Sequence, residues 1–244
     1  MQGDNRATSR LERIMGTEGL ARLERAHVMV LGLGGVGSNC VEALARGGVG
    51  TLTIVDHDRV ELSNINRQAI AFRSTIGKQK TVVTQGMIKD INPTARVIAL
   101  DEFLFADHVD AFFEQHGTGV DYVIDAIDTI STKLALAQYA DAHGMTFISS
   151  MGAANKLRPD CFTFADIYDT VNCPMCRIVR KEARKRGIAH IPVIYSSEHP
   201  VKVPTAEGAT RRDRSDLGTA SFVPPIMGQM IAGEVLCHLA GIQR

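Results

Sequence analysis

Apolar runs alternate with helix-like segments along the first 150 residues. His27 to Leu33 (HVMVLGL), Thr51 to Asp56 (TLTIVD), Arg96 to Leu100, Tyr122 to Asp128 (YVIDAID) and Thr146 to Met151 are short and mostly apolar. Their near-continuous hydrophobicity is that of strands buried on both faces of a parallel sheet. Between them, Val36 to Arg46, Gly77 to Ile91 and Ser131 to His143 read as helices. The second stops before Pro93, because proline disfavours helical geometry in the residue ahead of it. The third ends at Gly144. The alternation predicts an α/β fold: a Rossmann-like, mostly parallel sheet with helices on both faces.

The pattern changes after about residue 155. Phe162 to Ile167 reads as a strand and Cys176 to Arg186 as a basic helix, while Ile191 to Ser196 alternates weakly. Residues 199 to 218 are polar and read as a mobile loop, and the apolar stretch that follows reads as a buried C-terminal helix. The residues before about Arg10 read as loose. The chain is therefore expected to be one domain over 1–244, with a core at about 20–155 and an extension at about 156–244 ending in that loop and helix.

Composition narrows the class. The 244 residues are 45% hydrophobic and 22% charged, an ordinary soluble profile with enough chain for a core that needs no disulfides. Net charge is zero, so any nucleic-acid site must be a local patch. No secretory signal and no membrane span are expected. Five unevenly spaced cysteines suit a reducing cytoplasm.

The first chemical signal is GLGGVG. Gly32, Gly34 and Gly37 take the G-x-G-x-x-G spacing between an expected strand and an expected helix. Glycines permit the tight turn, and a helix N-terminus offers unpaired N–H groups to a phosphate. Asp56 ends the next strand, 24 residues after Gly32, where a carboxylate accepts hydrogen bonds from ribose hydroxyls. A nucleotide is expected. The glycines alone do not choose between NAD and ATP.

The continuation, DHDRVELSNINRQ from Asp56 to Gln68, argues for a triphosphate. Asp58 adds a second acid. Asn64, Asn66, Arg67 and Gln68 add donors, and Lys80 follows. Two cations exceed the needs of a diphosphate whose chemistry lies at the nicotinamide. Asp128 is expected to end the fourth strand, at the edge where open α/β sheets bind ligands, and can hold Mg²⁺ there. Each residue has a bland reading, as a surface ion pair or a helix cap.

GLGGVG, DHDRVELSNINRQ, Lys80 and DAID, in this order, resemble the ThiF/MoeB/ubiquitin-activating family of ATP-dependent adenylating enzymes. The resemblance implies ATP and Mg²⁺ as cofactors. It implies nucleotide contacts from Gly32, Gly34, Gly35, Gly37, Asp56, Asp58, Ser63, Asn64, Asn66, Arg67, Lys80 and Asp128, with Arg67, Lys80 and Asp128 acting in catalysis and Asp128 handling Mg²⁺. It also implies a homodimer in which an N-terminal arginine, Arg13 or else Arg10, reaches the partner's site. A solvated helix face is the competing reading of those arginines.

Within the family, INP at 91–93, CPMCRIVRKEARKRGI, VIYSSEHP and SFVPPIMGQMIAGEVL resemble the tRNA threonylcarbamoyladenosine dehydratase branch. There an acyl-adenylate on a tRNA nucleoside is closed by its own ureido group. The alternatives are adenylation of a ubiquitin-like sulfur carrier and a non-catalytic nucleotide-binding module, with an NAD oxidoreductase third. Sulfur-carrier relatives usually bind structural zinc through two Cys-x-x-Cys pairs. This chain has one, Cys173 and Cys176, so structural zinc, which needs four ligands, is not expected. Cys173 and Cys176 are read instead as small residues at a helix start, and Cys237 as core packing. A cysteine-desulfurase-type partner is compatible with the family.

A local charge run fits the tRNA substrate that the resemblance implies. Residues 177–187 hold six basic residues and one acid. Arg177, Arg180, Lys181, Arg184, Lys185 and Arg186 are the candidates for phosphate contacts. Lys202, Arg211, Arg212 and Arg214 of the polar loop could join them. The bland reading is an amphipathic helix burying Ile178, Val179 and Ala183.

Overall fold

The computed structural model describes residues 7–203 and 217–242. In chain order the elements are α1 (Ser9–Arg25), β1 (His27–Leu31), α2 (Gly37–Arg46), β2 (Thr51–Val55), α3 (Lys80–Ile91), β3 (Arg96–Leu100) and α4 (Val109–His116). They continue as β4 (Tyr122–Asp125), α5 (Ile130–His143), β5 (Phe147–Ser150), β6 (Phe162–Asp166), α6 (Pro174–Lys185), β7 (Pro192–Ser196) and α7 (Val223–Ala240). One seven-stranded sheet runs β3-β2-β1-β4-β5-β7-β6. Only the β6–β7 pair is antiparallel.

The two faces of β1 show why its sequence is continuously apolar. Val28 and Val30 enter one core cluster with Leu44, Met227 and Ile231, and Met29 and Leu31 enter the other with Phe112, Leu134 and Val179. Side chains alternate across a strand, so a strand covered on both sides is apolar at every position. Helices α1, α2, α3 and α7 cover the first face, and α4, α5 and α6 the second.

The expected elements are present with trimmed ends. Strand β4 is the one that matters: it ends at Asp125, so Asp128 lies three residues out on the following loop and does not end the strand. Helix α6 starts two residues early, because Pro174 occupies its first turn, where a missing N–H is harmless. The weakly alternating segment is β7, an interior strand whose Val193 and Ile194 are both buried. Helix α4 has no counterpart among the expected elements, although Val109, Phe112 and Phe113 carry i, i+3, i+4 spacing. Arg211, Arg212, Arg214 and most of the polar loop lie outside the described residues, as do residues 1–6. Among the described residues no helix is long and apolar enough to cross a membrane.

Strand order reverses between β1 and β4, and the crevice at their carboxyl ends is where open α/β sheets place ligands.

Candidate active site

The glycine loop is shaped by what lies against it. Gly32 has φ +92°, and a Cβ there would meet the Ala126 carbonyl oxygen at 2.8 Å. The loops after β1 and β4 thus touch at the switch point. A Cβ on Gly37 would lie 1.8 Å from the Gly32 oxygen, and one on Gly35 would strike Pro224 at 2.9 Å and Arg67 at 3.1 Å. Gly34 differs: a Cβ there would meet nothing within 4 Å. Protein packing does not require that glycine, and the space beside it is open.

Asp56 organises the start of the loop. Its carboxylate accepts from the Leu33 N–H at 2.6 Å and the Asp58 N–H at 2.8 Å. Lys80, only 5% exposed, sits at the head of α3 with its Nζ 2.7 Å from Asp58 and 3.6 Å from Asp56. Ligand atoms of Asp56, His57 and Asp58 lie within 4.8 Å of one another, a grouping able to take a cation. Its carboxylate oxygens are the donor type Mg²⁺ prefers. Asp128 is exposed and is not in that group.

The Asn-Arg-Gln segment follows a short 3₁₀ turn at Leu62–Asn64. Asn64 is buried and closes that turn by accepting from the Glu61 N–H at 3.0 Å. Arg67 donates to the Ser63 carbonyl at 3.1 Å and to Asn66 Oδ1 at 2.9 Å, and Asn66 donates to the Thr219 carbonyl at 3.1 Å. Gln68 is buried, and its Oε1 has no hydrogen-bond partner among the described residues. An orphaned buried acceptor beside the Gly loop is a place for a ligand donor.

Three side chains essential to this assembly carry no motif. Asn39 donates to the Gly35 carbonyl at 2.7 Å and to the Arg67 carbonyl at 3.0 Å, clamping the Gly loop to the Asn-Arg-Gln segment. Ser38 donates to the Gly34 carbonyl at 2.7 Å and accepts from the Ala69 N–H at 3.1 Å. Gln229 of α7 donates to the Asn39 carbonyl at 3.2 Å. A polar residue in the first turn of a helix after a Gly loop was the only signal available for Ser38 and Asn39.

A buried ion pair underlies the β4 end. Asp125 is fully buried and accepts from Lys133 at 2.9 Å, Ser149 at 2.6 Å and the Ile127 N–H at 3.0 Å. Lys133, on α5, is 2% exposed. The pair fixes the turn that leads to Asp128. Charged residues are rarely so buried unless paired, and the sequence offers no hint that these two meet.

The remaining candidates stand apart. Helix α1 packs its Gly19 against Ala240, and Thr8 lies beside Gly48 ahead of β2. Exposed Arg10 and Arg13 therefore lie at the edge of the sheet opposite the Gly loop of their own chain. On α6, Arg177, Lys181, Arg184, Lys185 and Arg186 are exposed. Arg180 is not a free cation: it donates to the Thr170 carbonyl at 2.8 Å and the Thr170 hydroxyl at 2.6 Å.

The ThiF family matches residues 6–244.

The chain belongs to the ThiF family.

It is 41% identical over 240 residues to tRNA threonylcarbamoyladenosine dehydratase of Bacillus subtilis (strain 168), covering 95% of this chain and 93% of that protein. It is 35% identical over 228 residues to the sulfur carrier protein adenylyltransferase of Thermus thermophilus, covering 93% of this chain and 74% of that one. The crystal structure of E. coli tRNA N6-threonylcarbamoyladenosine dehydratase in complex with ATP superposes with a TM-score of 0.83 at 29% identity, over 94% of this chain and 92% of that one. The mostly parallel α/β fold described above matches that of this E. coli structure.

Proposed function

We propose that this ThiF-family protein is an ATP-dependent tRNA threonylcarbamoyladenosine dehydratase. The observation that carries the reading is the 41% identity, over 95% of the chain, to a relative of that name. The site geometry supports it. The carboxylate of the threonylcarbamoyl group attacks the α-phosphorus of ATP and pyrophosphate leaves. The ureido group of the same nucleoside then attacks the acyl carbon, AMP leaves, and a ring closes with net loss of water. The attack is intramolecular, so no thioester is required.

The residues divide the work. Open space at Gly34 and the N-terminus of α2 receive phosphate, and Asp56 receives ribose. Arg67 and Lys80 offset charge as pyrophosphate departs. Lys80 is held ready by Asp58. Asp128 would hold Mg²⁺, with Asp58 of the separate Asp56–His57–Asp58 group as the other carboxylate available to it, and the ion would supply charge neutralisation at phosphate oxygens. Arg13 acts from a second copy in a homodimer, since its own site lies at the opposite edge. The exposed cations of α6 receive tRNA phosphates, and the enzyme works in the cytoplasm.

The test is mass spectrometry of nucleosides after incubation with ATP, Mg²⁺ and tRNA carrying threonylcarbamoyladenosine. A product lighter by one water, formed only with ATP, is expected. The likeness to the Thermus thermophilus enzyme supports a second reading, adenylation of a carrier protein. No lighter nucleoside, together with pyrophosphate exchange driven by a small Gly-Gly-ended protein, would replace the first reading with the second.

A further inference from the structure

The Cys-Pro-Met-Cys segment is built as a thiol pair, and the adenylation chemistry does not use it. Asn172 takes a left-handed conformation, φ 58°, and donates to the Ser197 carbonyl at 2.9 Å. That turn delivers Cys173 to the N-cap of α6, where its sulfur accepts from the Cys176 N–H at 3.5 Å. Among the described residues no third metal-binding side chain joins the two cysteines. The two cysteines lie one helical turn apart, the first at the N-cap, a position that favours a thiolate.

The environment makes the two sulfurs unequal. Hydrogen bonding from the Cys176 thiol, then from the three backbone N–H groups, lowers the Cys173 pKa against the opposing effect of burial. Cys176 is shifted up, first by that same hydrogen bond and then by burial. The thiolate is the nucleophile, so Cys173 is the attacking sulfur and Cys176 the resolving one. Cys173 is 5% exposed, and a side chain at Gly152 would sit 4.0 Å from its sulfur.

The pair is wired to the site. Gly152 begins the loop after β5. Three residues on, Asn155 pairs with Gly218, donating to its carbonyl at 2.8 Å and accepting from its N–H at 2.7 Å. The next residue, Thr219, accepts from Asn66. Gly152 packs against the head of α6, where a Cβ would lie 3.5 Å from Met175 and 4.0 Å from the Cys173 sulfur, so a shift of Cys173 on closing the disulfide is passed to this loop.

We propose that Cys173 and Cys176 are a thiol–disulfide site whose substrate is a small-molecule disulfide, and that its closure slows the reaction at the Asn66 end. The Cys173 thiolate attacks one sulfur of RS–SR, the S–S bond breaks, and one RS⁻ leaves and is protonated by solvent. Cys176 loses its proton to solvent and attacks the Cys173 sulfur of the mixed disulfide, expelling the second RS⁻. Two protein thiols are oxidised and one RS–SR is reduced to two RSH.

The full chain would be equilibrated with oxidised and reduced glutathione, quenched by alkylation, and digested with trypsin. The peptide Leu157 to Arg177 holds Cys161, Cys173 and Cys176. It is expected to lose two hydrogens with Cys161 alkylated. Cys176→Ser is expected to stop at glutathione on Cys173, and Cys173→Ser to leave Cys176 unmodified. Turnover of the oxidised wild type is expected to fall at least tenfold and to return with reductant, while C173A/C176A is insensitive. Both thiols remaining reduced, or Cys161 reacting in their place, would overturn the site. A disulfide with unchanged turnover would overturn the coupling. The thiol readout needs no tRNA, so an inactive reduced protein would count against the dehydratase reading alone.

Discussion

Two regions of the molecule hold positive charge in opposite ways. Beside the Gly loop and the end of β4, Lys80 is buried and already paired with Asp58, and Lys133 is buried on Asp125. On the α6 side Arg177, Lys181, Arg184 and Arg186 project into solvent. Cations fixed in a low-dielectric site act strongly over a few ångströms and need no rearrangement when charge develops. Solvated cations act at longer range and weaken with salt. The first arrangement suits chemistry on a phosphate, and the second suits the capture of a polyanion. Arg180 marks the boundary: it lies within the basic run, yet its guanidinium holds the Thr170 turn beneath the helix.

The largest separation between the two sides is expected from Lys80→Ala, which removes a fixed cation. Turnover should drop by roughly 10²–10³-fold in single-turnover assays. The affinity for tRNA should be unchanged. Loss of tRNA binding in this variant would erase the distinction.

Lys133→Met should act on the fold and not on the charge seen by ligands. It leaves Asp125 buried without its cation, and breaking such a pair costs about 3–5 kcal/mol. Chemical denaturation would measure it. Adding Asp125→Leu should recover part of the loss. A single variant as stable as wild type would show that the pair contributes nothing.

The smallest effect is expected from neutralising Arg177, Lys181 and Arg184 to Gln together. Stability should be near wild type, and the slope of log affinity for tRNA against log salt should fall by roughly 2–3. Arg180→Gln should do the reverse, losing stability with the slope unchanged. An unaltered slope in the triple variant would remove α6 from the RNA interface.

Much of this was legible along the chain. The period of the apolar runs predicted the parallel sheet, because burial on both faces leaves a local mark at every residue. The glycine turn was legible because close backbone approach demands fixed spacing between neighbours, and the structure shows that approach at Gly32 and Gly37. The Asn-Arg-Gln segment and Lys80 were singled out through family resemblance; the structure joins the first to the Gly loop through Asn39 and Gly35, and Lys80 to it through Asp56 and Asp58. The interior strand at 192–196 was less legible because Pro192 and Ser196 cut its apolar run to Val193, Ile194 and Tyr195.

What the sequence by itself determined was therefore local: element types, the glycine turn between β1 and α2, and a basic run with a cysteine pair at its head. Only tertiary structure decided which charges are spent inside the fold. Asp125 and Lys133 meet because α5 folds back over β4, and Arg180 turns under its helix because the Thr170 carbonyl lies there. Cys173 accepts from the Cys176 N–H of its own helix turn, and packing sets Gly152 of the loop after β5 against it. Hydrogen bonds between groups distant in the chain depend on angles set by packing, and a linear pattern carries no record of those angles.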